Sequence, residues 1–122
     1  MINREVQLNR GIKGKPGAKT DIWVTAISQS GNTRVTLCIE VKGSWNKTCR
    51  TAFRDQLCEK YMGAGGANAG IFLVGWFDST RCKKNYNVWK DKDAMQKELE
   101  KQGTALRGEG FKVRPMIIDC SY

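Results

Sequence analysis

Glu40, Val41 and Lys42 make an acid-x-base triplet inside IEVKG (residues 39–43), within a run of β-forming residues. Successive side chains of a strand alternate between its two faces. Glu40 and Lys42 therefore share a face, with Cα atoms about 6–7 Å apart. Val41 takes the opposite face with Leu37 and Ile39 and is expected to point into the core, while Cys38 shares the face of the charges. Two charges at the end of one face are costly to bury without partners. They mark either a solvated strand end holding a structural ion pair or a chemical site.

The neighbouring elements bear on that choice. DIWVTAIS (21–28) is a predicted strand, QSGN (29–32) a turn and TRVTLCIEVKG (33–43) a second strand, so the three predict a hairpin. A hairpin turning there brings Asp21 near Glu40 and Val41. Asp21 and Glu40 are then close enough to share a Mg²⁺ ion, which takes oxygen ligands and commonly uses one or two carboxylates plus phosphate. The Val41 carbonyl is a further candidate ligand, and Mn²⁺ a candidate substitute ion. Lys42 would orient or help deprotonate a water on the ion and offset phosphate charge. Gln56, at the edge of the apolar stripe of the next helix, is placed to hold Lys42 or a water.

Composition narrows the chemistry. The 122 residues make one domain, with enough chain for one core. No histidine occurs, which removes Ser-His-Asp and Cys-His catalysis, histidine metal triads and two-histidine ribonuclease chemistry. Any hydrolysis must rely on carboxylates, lysine and a hard metal ion. Lys and Arg number 21 against 12 Asp and Glu, a net charge of +9, which favours a polyanionic partner, nucleic acid before anionic membrane. No apolar run approaches the ~20 residues of a membrane span. The start of the chain is polar, unlike a signal peptide, so the cytoplasm is the expected compartment. The five cysteines are odd in number and form no CxxC pair, so reduced, mostly buried thiols are expected rather than a zinc site.

The remaining elements follow from period and punctuation. Residues 1–8 read as a strand or a helical stub, and the basic NRGIKGKPGAKT (9–20) as a loop. Cys49, Phe53, Leu57 and Tyr61 recur every fourth position, with Ala52 beside them, and predict a helix over 48–62 ended by Gly63. IFLVGWF (71–77) is apolar on both faces, as in a buried central strand. Met95, Leu99 and Leu106 predict a helix over 91–107, weakened by Gly103, and FKVRPMIIDCSY (111–122) a strand whose Pro115 predicts an edge position or a bulge. The order β-β-α-β-α-β implies an α/β domain: a mixed sheet with helices on its faces.

These residues, from Thr20-Asp21 through IEVKG and TAFRDQLCEKYM to AGIFLVGWF, resemble the PD-(D/E)XK nuclease superfamily over roughly residues 19–77. More narrowly the chain is similar to nuclease-like domains at the C-termini of large bacterial proteins, some linked to defence. The resemblance implies a restriction-endonuclease-like fold and Mg²⁺-dependent phosphodiester hydrolysis. Asp21 matches the first acid of the motif, Glu40-Val41-Lys42 its (D/E)XK, and Gln56 with Tyr61 the glutamine-tyrosine helix motif of the RecB-like branch. By this resemblance Asp21, Glu40, Lys42 and Gln56 are catalytic, with Asp21, Glu40 and the Val41 carbonyl on the metal. Three departures stand out. Thr20 precedes Asp21 where proline is usual. The helix reads Gln-x4-Tyr rather than Gln-x3-Tyr, and one extra residue turns Tyr61 by about 100° on an α-helix. The first helix of the family core, which often bears a glutamate, is short or missing. Either Glu5 is that acid or the helix belongs to a longer parent chain from which residues 1–122 are excised.

Several basic and aromatic residues suit nucleic acid. Lys13, Lys15 and Lys19 lie in GIKGKPGAK, which lacks phosphate-loop spacing and reads as a backbone-touching loop or a solvated one. GAGGANAG follows a helix and precedes a strand, the reverse of a dinucleotide fingerprint. Arg50 and Arg54 are one turn apart and could form a phosphate-contacting row, although Asp55 and Glu59 dilute it. Trp45 and Lys47 adjoin the candidate site; Trp45 either lines a groove or lids the helix start. STRCKKNYNVWK (79–90), with Lys83 and Lys84, suits backbone contact with base stacking, or is a connector with Trp89 in the core. DNA is favoured over RNA because it is the superfamily's commonest target. The alternatives are a toxin-like RNase or regulated effector domain that needs its parent chain or a homodimer, and an inactive nucleic-acid-binding module.

Overall fold

A computed structural model describes residues 3–9, 21–64, 66–78 and 87–121, with backbone alone at 3–9, 21 and 64. Five strands, β1 (Asn3–Asn9), β2 (Asp21–Ile27), β3 (Arg34–Gly43), β4 (Ala69–Trp76) and β5 (Val113–Asp119), form one mixed sheet in sequential order. β1 pairs with β2 and β2 with β3 antiparallel, and β4 and β5 continue from β3 as parallel strands. Between β3 and β4 a short helix, α1 (Cys49–Ala52), runs straight into a wider i→i+5 helix, the π-segment (Phe53–Ala64). Between β4 and β5 lies α2 (Lys92–Gly108). No helix among the described residues is long and apolar enough to cross a membrane.

The α/β class and the mixed sheet agree with the sequence, and the start of the chain settles as a strand. The order is therefore β-β-β-α-β-α-β, one strand more than expected. The β2–β3 hairpin closes where QSGN predicts a turn. Ser28 N–H donates to the Thr33 carbonyl at 2.8 Å, and Gly31 takes φ +74°, a left-handed conformation that costs glycine little. Asp91 caps α2 by accepting from Ala94 N–H at 2.7 Å. The sheet order puts β5 at an edge, where Pro115 can lack an N–H without breaking the interior ladder.

One expectation is overturned. The sequence implied helices on both faces and Val41 in the core. The π-segment and α2 instead bury Phe53, Leu57, Met95, Leu99 and Leu106 in one cluster with Cys38, Phe72, Val74 and Val113 of the sheet. That is the face of Glu40 and Lys42. Val41 lies on the other face and is 40% exposed, so IFLVGWF is central in strand order but is not covered on both sides. The reason is chain connection. Successive parallel crossovers of one hand, β3 to β4 to β5, lay both helices on the same side of the sheet.

Two glycines set the spacing of these layers. A Cβ on Gly70 would stand 2.9 Å from Leu57 Cδ1 and Met62 Sδ, so the π-segment can lie close to β4 only because none is there. Gly103, expected to weaken α2, is buried where a Cβ would meet Pro115 Cδ at 3.1 Å, which lets α2 approach β5. Cys38, Cys49 and Cys58 are buried and Cys120 is partly exposed. Burial pushes the Cys58 thiol up to about 11.

Candidate active site

Glu40 and Lys42 lie in the C-terminal half of β3, with Phe72 and Val74 beside them on parallel β4. In open α/β sheets ligands gather at the carboxyl ends of parallel strands. Neither charge is solvated: Glu40 is 0% and Lys42 3% exposed. The ammonium of Lys42 sits 3.1 Å from Glu40 Oε1 and donates to Gln56 Oε1 at 2.8 Å. The strand end is therefore an enclosed acid–base pair braced by an amide from the π-segment. A buried pair of this kind is a poor source of stability, because desolvation offsets most of the Coulombic gain.

The register brings Asp21 to this place. Ile22 stands opposite Ile39, so one further step along the same ladder puts position 21 opposite Glu40. The carboxylate of Asp21 lies outside the described atoms, as do the side chain of Glu5 and all of Lys13, Lys15, Lys19, Lys83 and Lys84. β2 begins at Asp21, whereas β3 runs on to Gly43. The Val41 backbone therefore lies past the end of the described β2–β3 ladder, on the side from which Asp21 enters.

The π geometry bears on the Gln-x4-Tyr spacing. In a helix closed by i→i+5 bonds, position i+5 takes the place that i+4 has in an α-helix. Gln56 and Tyr61 accordingly both face the sheet. Gln56 meets Lys42 on β3, and the Tyr61 ring packs edge-on against Trp23 of β2 with centroids 5.9 Å apart. The extra residue is absorbed by the wider turn, and the rotation of about 100° expected for an α-helix does not arise.

The candidate nucleic-acid contacts are placed unevenly. Arg54 makes a two-pronged pair with Glu109, and Arg50 donates to the Val88 carbonyl at 3.2 Å while lying 5.5 Å from the Trp89 ring centroid. Both guanidinium groups thus tie the first helix to α2 and its approach, not to an open row. Trp89 is buried in the core and donates its indole N–H to Glu98 at 2.8 Å. Lys47 is exposed in the turn before α1. Trp45 is partly exposed and lies across Gly43, where a Cβ would stand 2.3 Å from its ring, with its edge toward Phe77 at 4.7 Å.

Sequence reading did not find the clasp just beyond Lys42. Ser44 is fully buried; its hydroxyl donates to Asn87 Oδ1 at 2.8 Å and accepts from Phe77 N–H at 3.0 Å. Asn87 closes the ring by donating to the Phe77 carbonyl at 2.9 Å. The clasp pins the ends of β3 and β4 together two residues from the lysine. Its partners are 33 and 43 residues from Ser44, and no local pattern marks them.

Among the described side chains no group of three or more His, Cys, Asp and Glu is close enough to hold a metal ion. The donor set expected for Mg²⁺ consists of Glu40, a main-chain oxygen and Asp21, and needs no such group. It fits a hard cation that keeps much of its own water. No family model, no curated protein and no solved structure matches this chain.

Proposed function

We propose that this chain is a Mg²⁺-dependent nuclease of the PD-(D/E)XK type, acting on phosphodiester bonds with DNA as the favoured substrate. The observation that carries the reading is Lys42 held between Glu40 and Gln56, with position 21 opposite Glu40 by register. A buried ion pair that adds little stability is more readily explained as chemistry than as scaffold. The mixed sheet with a helix following the motif strand is compatible with the restriction-endonuclease-like core. The net charge of +9 and the absence of histidine point the same way.

In this reading Asp21, Glu40 and the Val41 carbonyl hold the ion. When bound, the ion supplies positive charge to the scissile phosphate and lowers the pKa of water. Lys42, kept in position by Gln56, offsets charge that develops on the phosphate and is placed to take or give a proton at the attacking water. Lys47, exposed in the turn that follows the same strand, is the candidate to flank a bound strand, whereas the Trp45 ring lies over Gly43 on the opposite face of the sheet.

The burial of Glu40 and Lys42 favours a second form of the same activity. A site closed to solvent must be uncovered before a phosphate can enter it. That suits a toxin-like RNase or a defence effector whose site opens when a parent chain or a partner is engaged.

The deciding experiment incubates the protein with plasmid, linear and single-stranded DNA and with tRNA, in Mg²⁺, Mn²⁺ or EDTA. Glu40→Gln, Lys42→Met and Gln56→Ala run alongside, each checked for folding by circular dichroism. Cleavage with either ion that is lost in EDTA and in folded Glu40→Gln supports the proposal. Cleavage that persists in EDTA or in both Glu40→Gln and Lys42→Met refutes the mechanism. Salt-sensitive binding without cleavage of any substrate marks an inactive binding module instead.

A further inference from the structure

The face of the sheet opposite the helices is apolar across its breadth. By register it carries Ile22, Val24 and Ala26 of β2, Val35, Leu37, Ile39 and Val41 of β3, Ile71 and Leu73 of β4, and Met116 and Ile118 of β5. Met116 and Ile118 are each 50% exposed, and Val35 and Val41 nearly as much. Among the described strand positions this face carries two charges by register, Arg4 on β1 opposite Ala26 and Arg114 at the start of β5, one on each edge strand. At one end the face is closed by Trp45 and Phe77, seated on the paired glycines Gly43 and Gly75.

We infer that this face is the contact between two copies of the chain, packed sheet against sheet. Strand spacing and rise make it about 20 Å across and about 23 Å along, roughly 500 Å² in projection. Side-chain relief raises the accessible area above that projection, toward the ~800 Å² that each partner brings to a stable interface. It also stands at the upper end of the apolar patches that monomers expose, ~300–600 Å². The chemistry selects a like partner. The interior strands β2, β3 and β4 put no charged or polar residue on this face and offer nothing for a polar or ionic ligand to pair with, whereas a second apolar sheet covers them, layers about 10 Å apart. The charges on each copy then lie away from the contact, on the helix side and at the edges. Because each copy carries +9, association works against like-charge repulsion, and added salt strengthens it. A nucleic-acid contact weakens under the same change.

The inference does not depend on the nuclease reading. Sedimentation equilibrium of the nucleic-acid-free protein, from low to high micromolar concentration, tests it directly. A reversible dimer is expected, tighter at raised salt. Met116→Glu with Ile118→Glu on β5, and separately Val35→Lys on β3, are expected to weaken it at least tenfold. These side chains are about half exposed, so the fold persists and circular dichroism is unchanged. A wild-type protein that stays monomeric throughout overturns the inference and leaves the face to a different partner. A dimer that survives both surface variants, or one that dissolves as salt rises, overturns it equally.

Discussion

Gln56 Oε1 accepts a hydrogen bond from the Lys42 ammonium at 2.8 Å, and that contact joins the π-segment to the strand bearing both buried charges. Lys42 meets Glu40 at 3.1 Å with the same nitrogen, so strand and helix share one cation. Perturbing any of the three residues should be felt by the other two.

The Glu40–Lys42 pair should be strongly coupled. Lys42→Met leaves a carboxylate enclosed without its cation and is expected to cost ~3–5 kcal/mol. Glu40→Gln with Lys42→Met removes both charges and should recover much of that loss. Urea unfolding of the two single variants and the double variant gives the coupling energy. Additive effects would show that the two side chains do not depend on each other.

Gln56 should matter as an acceptor. Gln56→Ala removes a hydrogen bond to a charged donor and is expected to cost ~1.5–3 kcal/mol. Gln56→Glu keeps an oxygen facing Lys42 and should stay closer to wild type. Equal destabilisation by both variants, read from urea midpoints, would mean that packing rather than the hydrogen bond sets the position.

Gly70 and Gly108 should respond to alanine with opposite signs. At Gly70 the new methyl meets Leu57 and Met62 at 2.9 Å, an overpacked contact worth a loss of ~1–3 kcal/mol. At Gly108, the last residue of α2, nothing lies within 4 Å, and alanine is the better helix former by up to ~1 kcal/mol. Thermal melts of the two variants test the layer spacing; a neutral Gly70→Ala would show that the helix does not press on β4 there.

Acid should loosen the surface ties of α2 and β5. The Arg54 guanidinium holds the Glu109 carboxyl below its ordinary range. Hydrogen bonds from Ser121, with one from Lys92, hold Asp119 at about 2. Both folded-state values are depressed, so the stabilisation is present above the ordinary carboxylate range and is lost as pH falls through the folded values. Urea midpoints should therefore decline below about pH 4, toward pH 2. Glu109→Gln should flatten part of that decline, and an unchanged slope in this variant would remove the Arg54 pair from the account.

Much of the fold was legible because its signals are local. The hairpin followed from a turn sequence between two β-forming runs, and the observed register, Ile22 opposite Ile39, is the one that turn implies. The two helices followed from spaced apolar residues, and α2 begins at the Asp91 cap. The π-segment was not legible. Its apolar repeat is also a plausible α-helical repeat, and the contacts that accompany the wider turn, Gln56 with Lys42 and Tyr61 with Trp23, lie on two different strands distant in sequence. The Ser44–Asn87–Phe77 clasp escaped for a similar reason: its members are far apart in the chain and ordinary in type. Arg50 and Arg54 were correctly placed one turn apart, but their partners Val88, Trp89 and Glu109 come from distant segments.

Strand alternation alone determined that Glu40 and Lys42 share a face and that Val41 takes the other, because the two-residue period belongs to the backbone itself. Which of those faces would be buried was a tertiary matter. It depended on the side to which two successive crossovers carried the helices. The structure put the charges beneath the π-segment and left the valine on an open apolar sheet, the reverse of what hydrophobicity by itself predicts.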